Sequence, residues 1–173
     1  FDTVVVDAGH GGDDHGARGP KGLLEKDLVL DLARRLSARL ASQGLAVVMT
    51  RDADRFVSLE ERTRMANEAG TDLFVSIHAN AFRSEGARGS EVYFLSYQAT
   101  DDDSRRLAAM EGGSVVPSAG GPANSDLALI LWDMAQAEHL EESSALASRI
   151  QEELAEVTGS QGRGVKQAPF RVL

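Results

Sequence analysis

Cysteine is absent from the 173 residues. Disulfides, zinc–thiolate sites and thiol catalysis are therefore excluded, while the absence suits an extracytoplasmic protein as well as a cytosolic one. Basic residues are in short supply, with 18 Lys and Arg against 27 Asp and Glu and a formal charge of −9. Binding to a nucleic-acid backbone runs on cations that neutralise phosphates, so no nucleic-acid partner is expected. No apolar run approaches the roughly 18 residues of a membrane-spanning helix, and no membrane span is expected. A secretory leader is missing as well. The chain opens directly in an apolar strand pattern at Thr3-Val4-Val5-Val6. That opening reads as an excised domain, with any targeting segment upstream. Internal repeats are absent.

What remains is an ordinary globular composition, 42% hydrophobic. A chain of this length fits one domain that buries roughly 70% of its unfolded surface. Val4 to Val6 is a β-branched run ended by Asp7-Ala8-Gly9, and a glycine-rich loop extends from Gly9 to Gly22. Glu25 to Gln43 has helical spacing, with Leu24, Leu28, Leu32, Leu36 and Leu40 recurring every fourth residue and Val29 and Ala33 widening the stripe; Gly44 stops it. Leu45 to Thr50 reads as a buried strand. Ser58-Leu59-Glu60-Glu61 is a capping box that opens a helix through Ala69. Leu73 to Ile77 and Glu91 to Ser96 read as strands. Alternating strands and helices predict an α/β domain, a mostly parallel twisted sheet flanked by helices. Asp101 to Ala123 breaks the pattern with an acidic run, a short helical piece to Glu111 and a Gly/Pro-rich stretch, and reads as a flexible insertion. Helices are expected from Ser125 to about His139 and from Glu141 to about Val157, then a loop over Gly159 to Gly164 and the start of a strand at Phe170 to Leu173.

In open parallel sheets, ligands bind beyond the carboxyl ends of the strands. His10 follows the first strand, His78 ends the Leu73–Ile77 strand, and Glu25 opens the first helix beside the glycine-rich loop. Two imidazoles and a carboxylate suit a catalytic zinc, which keeps its fourth position for water. Other accounts stay open on these residues alone: loop histidines without a metal, and a glutamate favoured at a helix N-terminus by the macrodipole. A phosphate cradle fails, because Asp14 stands where the third glycine of G-x-G-x-x-G belongs and no G-K-[S/T] occurs. His15 reads as an exposed loop residue and His139 as a structural helix-end histidine.

The strings Val6-Asp7-Ala8-Gly9-His10-Gly11-Gly12, Glu25-Lys26-Asp27, Thr50-Arg51, Ser58-Leu59-Glu60-Glu61-Arg62 and Phe74-Val75-Ser76-Ile77-His78-Ala79-Asn80-Ala81, with the closing Gly164 to Leu173, occur in this order. Together they resemble the zinc N-acetylmuramoyl-L-alanine amidases of the cell-division type, over nearly the whole chain. The resemblance implies Zn2+ held by His10, Glu25 and His78. Asp7 or Asn80 is expected to orient one of these ligands. It implies hydrolysis of the amide between N-acetylmuramic acid and L-alanine of peptidoglycan, in the periplasm or another extracytoplasmic space, for wall remodelling and daughter-cell separation. The family carries a second, catalytic glutamate on a strand after the Phe170–Leu173 segment. No glutamate among these residues matches it, so residues 1–173 read as a C-terminally incomplete catalytic domain.

Residues 101–139 resemble the autoinhibitory helical insertion of the family's regulated members. There a helix occludes the metal cleft and a glutamate completes the metal shell; Glu111 is the matching residue, although Gly112 replaces the usual asparagine. The face formed by Leu127, Ile130, Leu131 and Met134, with Trp132 nearby, is either plain packing or a docking face for a LytM-type activator protein. Another zinc hydrolase, such as a deacetylase, and a cell-wall binding module without catalysis are the alternatives.

Overall fold

A computed structural model of the chain describes residues 1–81, 89–96, 98–112, 124–160, 162–171 and 173, with the side chains of 124–138 outside the description. The chain divides into two compact units, Phe1–Arg83 and Ser84–Arg171. Each has its own parallel ladder covered by helices, so the α/β class expected from the sequence is observed.

In the first unit, β1 (Thr3–Ala8) lies between β2 (Ala46–Met49) and β3 (Leu73–Ile77), parallel to both. The strand is longer than its valine run, because Asp7 and Ala8 continue the ladder against Ser76 and Ile77. Period-two alternation sends Val4, Val6 and Ala8 towards helix α1 (Glu25–Ala41), where they pack on Val29, Leu30 and Ala33. Each fully buried valine or leucine contributes about 1.5–3 kcal/mol of transfer free energy. The buried face of α1 is therefore not centred on the leucine stripe. Leu32 is exposed, and Leu36 and Leu40 lie at the edge of the core. The shift follows from Glu25 and Lys26, both buried at the start of the helix, which fix its rotation. Helix α2 (Leu59–Glu68) begins as expected, with Ser58 Oγ accepting from the Glu61 amide at 3.2 Å.

In the second unit, β4 (Glu91–Leu95) pairs in parallel with β5 (Gly164–Ala168). The last strand thus starts at Gly164, in the stretch expected to be a loop, and ends before Phe170. Its sequence, Gly-Val-Lys-Gln-Ala, has one β-branched residue; its place is set by pairing with β4 and not by propensity. Helix α3 (Asp102–Met110) is capped by Asp101, whose Oδ1 accepts from the Ser104 amide at 2.7 Å, and it packs on β5 with Ser104 and Ala108 buried. The flexible insertion expected to start at Asp101 is thereby corrected over α3, which belongs to the packed body of its unit. Helix α4 (Asn124–Thr158) is continuous for 35 residues, where two helices were expected. No helix breaker stands near His139 and Leu140, and His139 lies inside the helix, 3.7 Å from Glu142. Residues 113–123, and the side chains of Leu127, Ile130, Leu131, Trp132 and Met134, lie outside the described residues.

Candidate metal centre

The carboxyl ends of β1 and β3 are joined one residue past the ladder, where the Gly9 amide donates to Ile77 O at 3.1 Å. This places His10 and His78 side by side. Their rings meet edge to face, with centroids 4.9 Å apart and planes at 74°. Helix α1 brings Glu25 to the same point. Two amides that its first turn cannot pair internally are taken up by the loop: Glu25 N donates to Ala17 O at 2.9 Å and Lys26 N to His15 O at 3.3 Å. His15 itself is exposed.

Glu25 is almost fully buried, and both its oxygens accept backbone hydrogen bonds. Oε2 accepts from Ala17 N at 2.8 Å and Oε1 from Ala79 N at 2.6 Å. Oε1 also lies 3.2 Å from His10 Nε2 and 3.4 Å from His78 Nδ1. Burial by itself would raise the Glu25 pKa, but hydrogen bonds with His10, His78, Ala17 and Ala79 hold it well below the usual carboxylate range. For His10, burial disfavours the charged ring, yet the hydrogen bonds to Glu25 and Asp14 prevail and push its pKa up to about 9. Both shifts have the ionised Glu25 carboxylate as a source: it favours a positive charge in the small space it shares with the rings, whether a proton on His10 or a metal ion in its place.

The residues fit a metal ion. One ligand atom from each of His10, Glu25 and His78 lies within 4.8 Å of the other two. In a four-coordinate site with bonds of about 2.1 Å, neighbouring ligand atoms stand about 3.4 Å apart. The two separations from Glu25 Oε1 match that edge. Glycines make the approach possible. A Cβ on Gly9 would lie 2.5 Å from His78 Nε2, and one on Gly16 would lie 2.7 Å from Glu25 Oε2 and 2.8 Å from His10 Nε2.

Beneath the loop lies a layer of buried cations. His10 adopts φ 60°, a left-handed conformation that costs a non-glycine residue about 1–2 kcal/mol. Arg62 of α2 holds it there, with Nη2 donating to His10 O at 2.8 Å and Nη1 to Ala8 O at 2.8 Å and to Asp7 Oδ1. Arg51, after β2, donates to Ala8 O at 2.9 Å and to Gly9 O and Lys26 O at 2.8 Å. Lys26 Nζ donates to Gly12 O and to Asp54 Oδ2, both at 2.8 Å. The carbonyls of Ala8, Gly9, His10 and Gly12 thus all accept from cations carried by other elements.

Asp7 corrects one expectation. Its carboxylate accepts from Thr50 Oγ1 at 2.6 Å, Ser76 Oγ at 2.7 Å and Arg62. It acts on His10 through Arg62 and not by orienting a ligand ring; Asn80 lies exposed beyond β3. Asp14 does touch one of the two rings: its Oδ2 lies 3.0 Å from His10 Nδ1. Its identity as a carboxylate four residues past a loop histidine is the signal that sequence reasoning passed over. Arg51 and Arg62 stood in the quoted strings without a role; Arg51 follows an apolar strand, and Arg62 sits in a helix where nothing in its neighbours marks it as buried. Glu111 closes α3 in the second unit, whereas the His10, Glu25 and His78 cluster is built wholly from the first.

Comparisons with known proteins identify the family. The profile of the N-acetylmuramoyl-L-alanine amidase family matches residues 4–173. The chain is 38% identical over 173 residues to the N-acetylmuramoyl-L-alanine amidase AmiC of Neisseria meningitidis serogroup B, covering 99% of this chain and 42% of that protein. It is 34% identical over 174 residues to the AmiA amidase of Escherichia coli K12, covering 99% of this chain and 60% of that one. The chain therefore spans about half the length of these curated relatives. The solved structure of the amidase AmiC2 of Nostoc punctiforme superposes with a TM-score of 0.61 at 32% identity, over 99% of this chain and 71% of that one. By a family profile that spans all but the first three residues, and by relatives aligned along its length, this chain belongs to the N-acetylmuramoyl-L-alanine amidase family.

Proposed function

We propose that the chain is the catalytic part of a zinc-dependent peptidoglycan amidase that hydrolyses the amide between N-acetylmuramic acid and L-alanine. The observation that carries this proposal is the convergence of His10 Nε2, His78 Nδ1 and Glu25 Oε1 on one point at the carboxyl end of a parallel sheet. Two imidazoles and one carboxylate are a donor set that zinc favours when it keeps a position for water or substrate. When bound there, zinc supplies Lewis acidity towards the scissile carbonyl and lowers the pKa of water to about 7.

The chain's own residues prepare that chemistry. Ala17 N and Ala79 N fix both oxygens of Glu25, so the carboxylate cannot turn away. Gly9 and Gly16 let the rings close on one another. Arg62 and Arg51 lock the loop that carries His10. The proton transfer from water to the leaving amine is assigned to the second glutamate that the family resemblance places after Phe170–Leu173. The setting is extracytoplasmic, where peptidoglycan is, and the role is wall remodelling and daughter-cell separation; among the described residues no helix is long and apolar enough to cross a membrane.

The test is elemental analysis of the purified protein, extended past Leu173 to include that glutamate, together with stem-peptide release from intact peptidoglycan. One zinc per chain is expected, with loss of both metal and release in His10→Ala. Release of acetate instead of stem peptides would point to a deacetylase, and undiminished release after chelation would overturn the metal-dependent reading.

Regulation is part of the same proposal. Of the insertion expected over residues 101–139, the part that follows α3 keeps basal activity low until a LytM-type activator engages the Leu127, Ile130, Leu131 and Met134 face, and Glu111 joins the metal in the inhibited state. The packing of α3 on β5 supports a boundary after Met110 for the regulatory piece. Replacing residues 113–138 with a short Gly/Ser linker is expected to raise basal release; unchanged release would dispose of the regulatory role.

A further inference from the structure

We propose that Asp14 is the positioning residue that selects which nitrogen His10 presents to the metal; this rests on the metal reading above. The two histidines use opposite ring nitrogens. His78 turns Nδ1 towards Glu25 Oε1, and His10 turns Nε2. The nitrogen at the back of His10, Nδ1, lies 3.0 Å from Asp14 Oδ2. An ionised carboxylate only accepts hydrogen bonds. The hydrogen of that pair therefore sits on Nδ1. Nε2 faces a second carboxylate, Glu25 Oε1 at 3.2 Å, and a metal that displaces the proton from Nε2 finds its lone pair there. Free neutral histidine favours the other tautomer, with hydrogen on Nε2, which cannot ligate through that atom.

Asp14 is fixed for this purpose by a short loop. Its amide donates to Gly11 O at 3.2 Å and its carbonyl accepts from Gly11 N at 2.9 Å. Its second oxygen, Oδ1, accepts from Gly16 N at 3.2 Å. Gly16 in turn lines one side of the His10 ring, and His78 meets the ring edge to face. The slot leaves the ring one main freedom, the choice of tautomer and flip, and Asp14 removes it. The carboxylate side chain is half exposed, so its substitution need not disturb the core. A partner of this kind also makes the ligating nitrogen more basic, and its loss typically lowers metal affinity about 10–100-fold.

The experiment uses the nitrogen-15-labelled chain loaded with zinc and records the imidazole nitrogen shifts of His10. In parallel, zinc affinity is measured by competition with a chromophoric chelator. Wild type is expected to carry hydrogen on Nδ1. Asp14→Ala is expected to move it to Nε2 and to lose about 10–100-fold in affinity. Asp14→Asn, whose amide oxygen still accepts, is expected to keep the tautomer and lose less, and Asp13→Ala to change neither. Hydrogen on Nε2 in wild type, or an unaltered tautomer and affinity in Asp14→Ala, would overturn the proposal. A wild-type chain that binds no zinc, while its His10 Nδ1 shift still changes on Asp14→Ala, would sink the metal reading and leave the Asp14–His10 pairing standing.

Discussion

The two units treat charge in opposite ways. In the first, Asp7, Glu25, Arg51 and Arg62 are at most 3% exposed, and the arginines aim mainly at backbone carbonyls of one loop. In the second, Glu91 gathers Arg163 at 2.7 Å, Lys166 at 3.0 Å and the Tyr93 hydroxyl at 2.9 Å, and Lys166 also reaches Asp101 at 3.1 Å; all of these keep access to solvent. Burying a charge costs several kcal/mol unless every polar atom is matched. A chain carries that cost where a backbone must hold one conformation, and the first unit does so around the left-handed His10. Where the task is to tie a strand to its neighbours, half-exposed pairs suffice. Buried cations that point at carbonyls are thus a mark of a preorganised site, while side-chain pairs at a sheet surface mark a joint.

The contrast would break first at Arg62. Arg62→Ala leaves the Asp7 carboxylate buried without its cation and takes the donor from the carbonyl of His10 and from that of Val57, which accepts from Arg62 Nε at 3.1 Å, while Ala8 O keeps Arg51. The expected loss is about 3–5 kcal/mol in urea unfolding of the metal-free chain, a large share of a typical domain's stability. Arg62→Lys keeps the charge but cannot span Asp7, Ala8, His10 and Val57 at once, so it is expected to recover stability partly and metal affinity less. Equal recovery of both would show that the arginine serves the fold alone.

A pH series on the metal-free chain gives the next largest effect. The His10 pKa is raised from 6.5 to about 9 in the folded chain. The associated stability is full below about pH 6.5 and is lost as pH rises through about 9. Glu25 is depressed, so its share is present above its unfolded pKa near 4.5 and is lost as pH falls. The two describe one pairing and are counted once. A maximum between about pH 4.5 and 6.5 is expected, with a decline of up to about 3 kcal/mol towards pH 9. Zinc should reverse the alkaline limb, because His10 must shed its proton to ligate. Denaturant midpoints with and without zinc test this; loss of the alkaline decline in His10→Ala, with the acid limb kept by the other partners of Glu25, is the control.

How much of this was legible beforehand depends on the kind of signal. Val4–Val6, the Ser58 cap and Leu73–Ile77 announce themselves through local patterning, and the strand-end positions of His10 and His78 follow from them. Glu25 was readable because it opens a helix beside a glycine-rich loop. The rotation of α1 was not, since five leucines in register outweigh Val29 and Ala33 in any periodicity count, while buried Glu25 and Lys26 decide the matter in three dimensions. Arg51, Arg62 and Lys26 act on carbonyls 14 to 54 residues away, and backbone acceptors leave no trace in side-chain identity. Strand β5 was misplaced for a related reason: its ladder partner lies over seventy residues earlier, and its own residues favour a strand weakly.

Gly16→Ala sharpens the comparison at closer range. The φ of 64° and the contacts to His10 and Glu25 both oppose a methyl group. Stability is expected to fall by about 1–2 kcal/mol, with metal affinity reduced far more than that figure alone would give. Gly44→Ala offers the contrast: its φ is also positive, but a Cβ there meets nothing within 4 Å. It should cost a similar amount of stability and leave metal binding intact. The same affinity loss in both would mean that backbone strain, and not crowding of the ligands, governs the site.

The smallest effect is expected in the second unit, from Glu91→Gln. Burial alone would raise the Glu91 pKa, but Lys166, Tyr93 and Arg163 hold it below the ordinary value, so the glutamate is ionised and favourably placed. The substitution removes its charge but keeps an acceptor for the Tyr93 hydroxyl, and Lys166 retains Asp101. Solvent reaches every member of the group, which limits the loss to about 1 kcal/mol and makes it shrink as salt is added. Zinc affinity should not change. A loss as large as that of Arg62→Ala, insensitive to salt, would mean that the charges of β4 and β5 are as tightly committed as those beneath His10, and the distinction between a preorganised site and a joint would have to be given up.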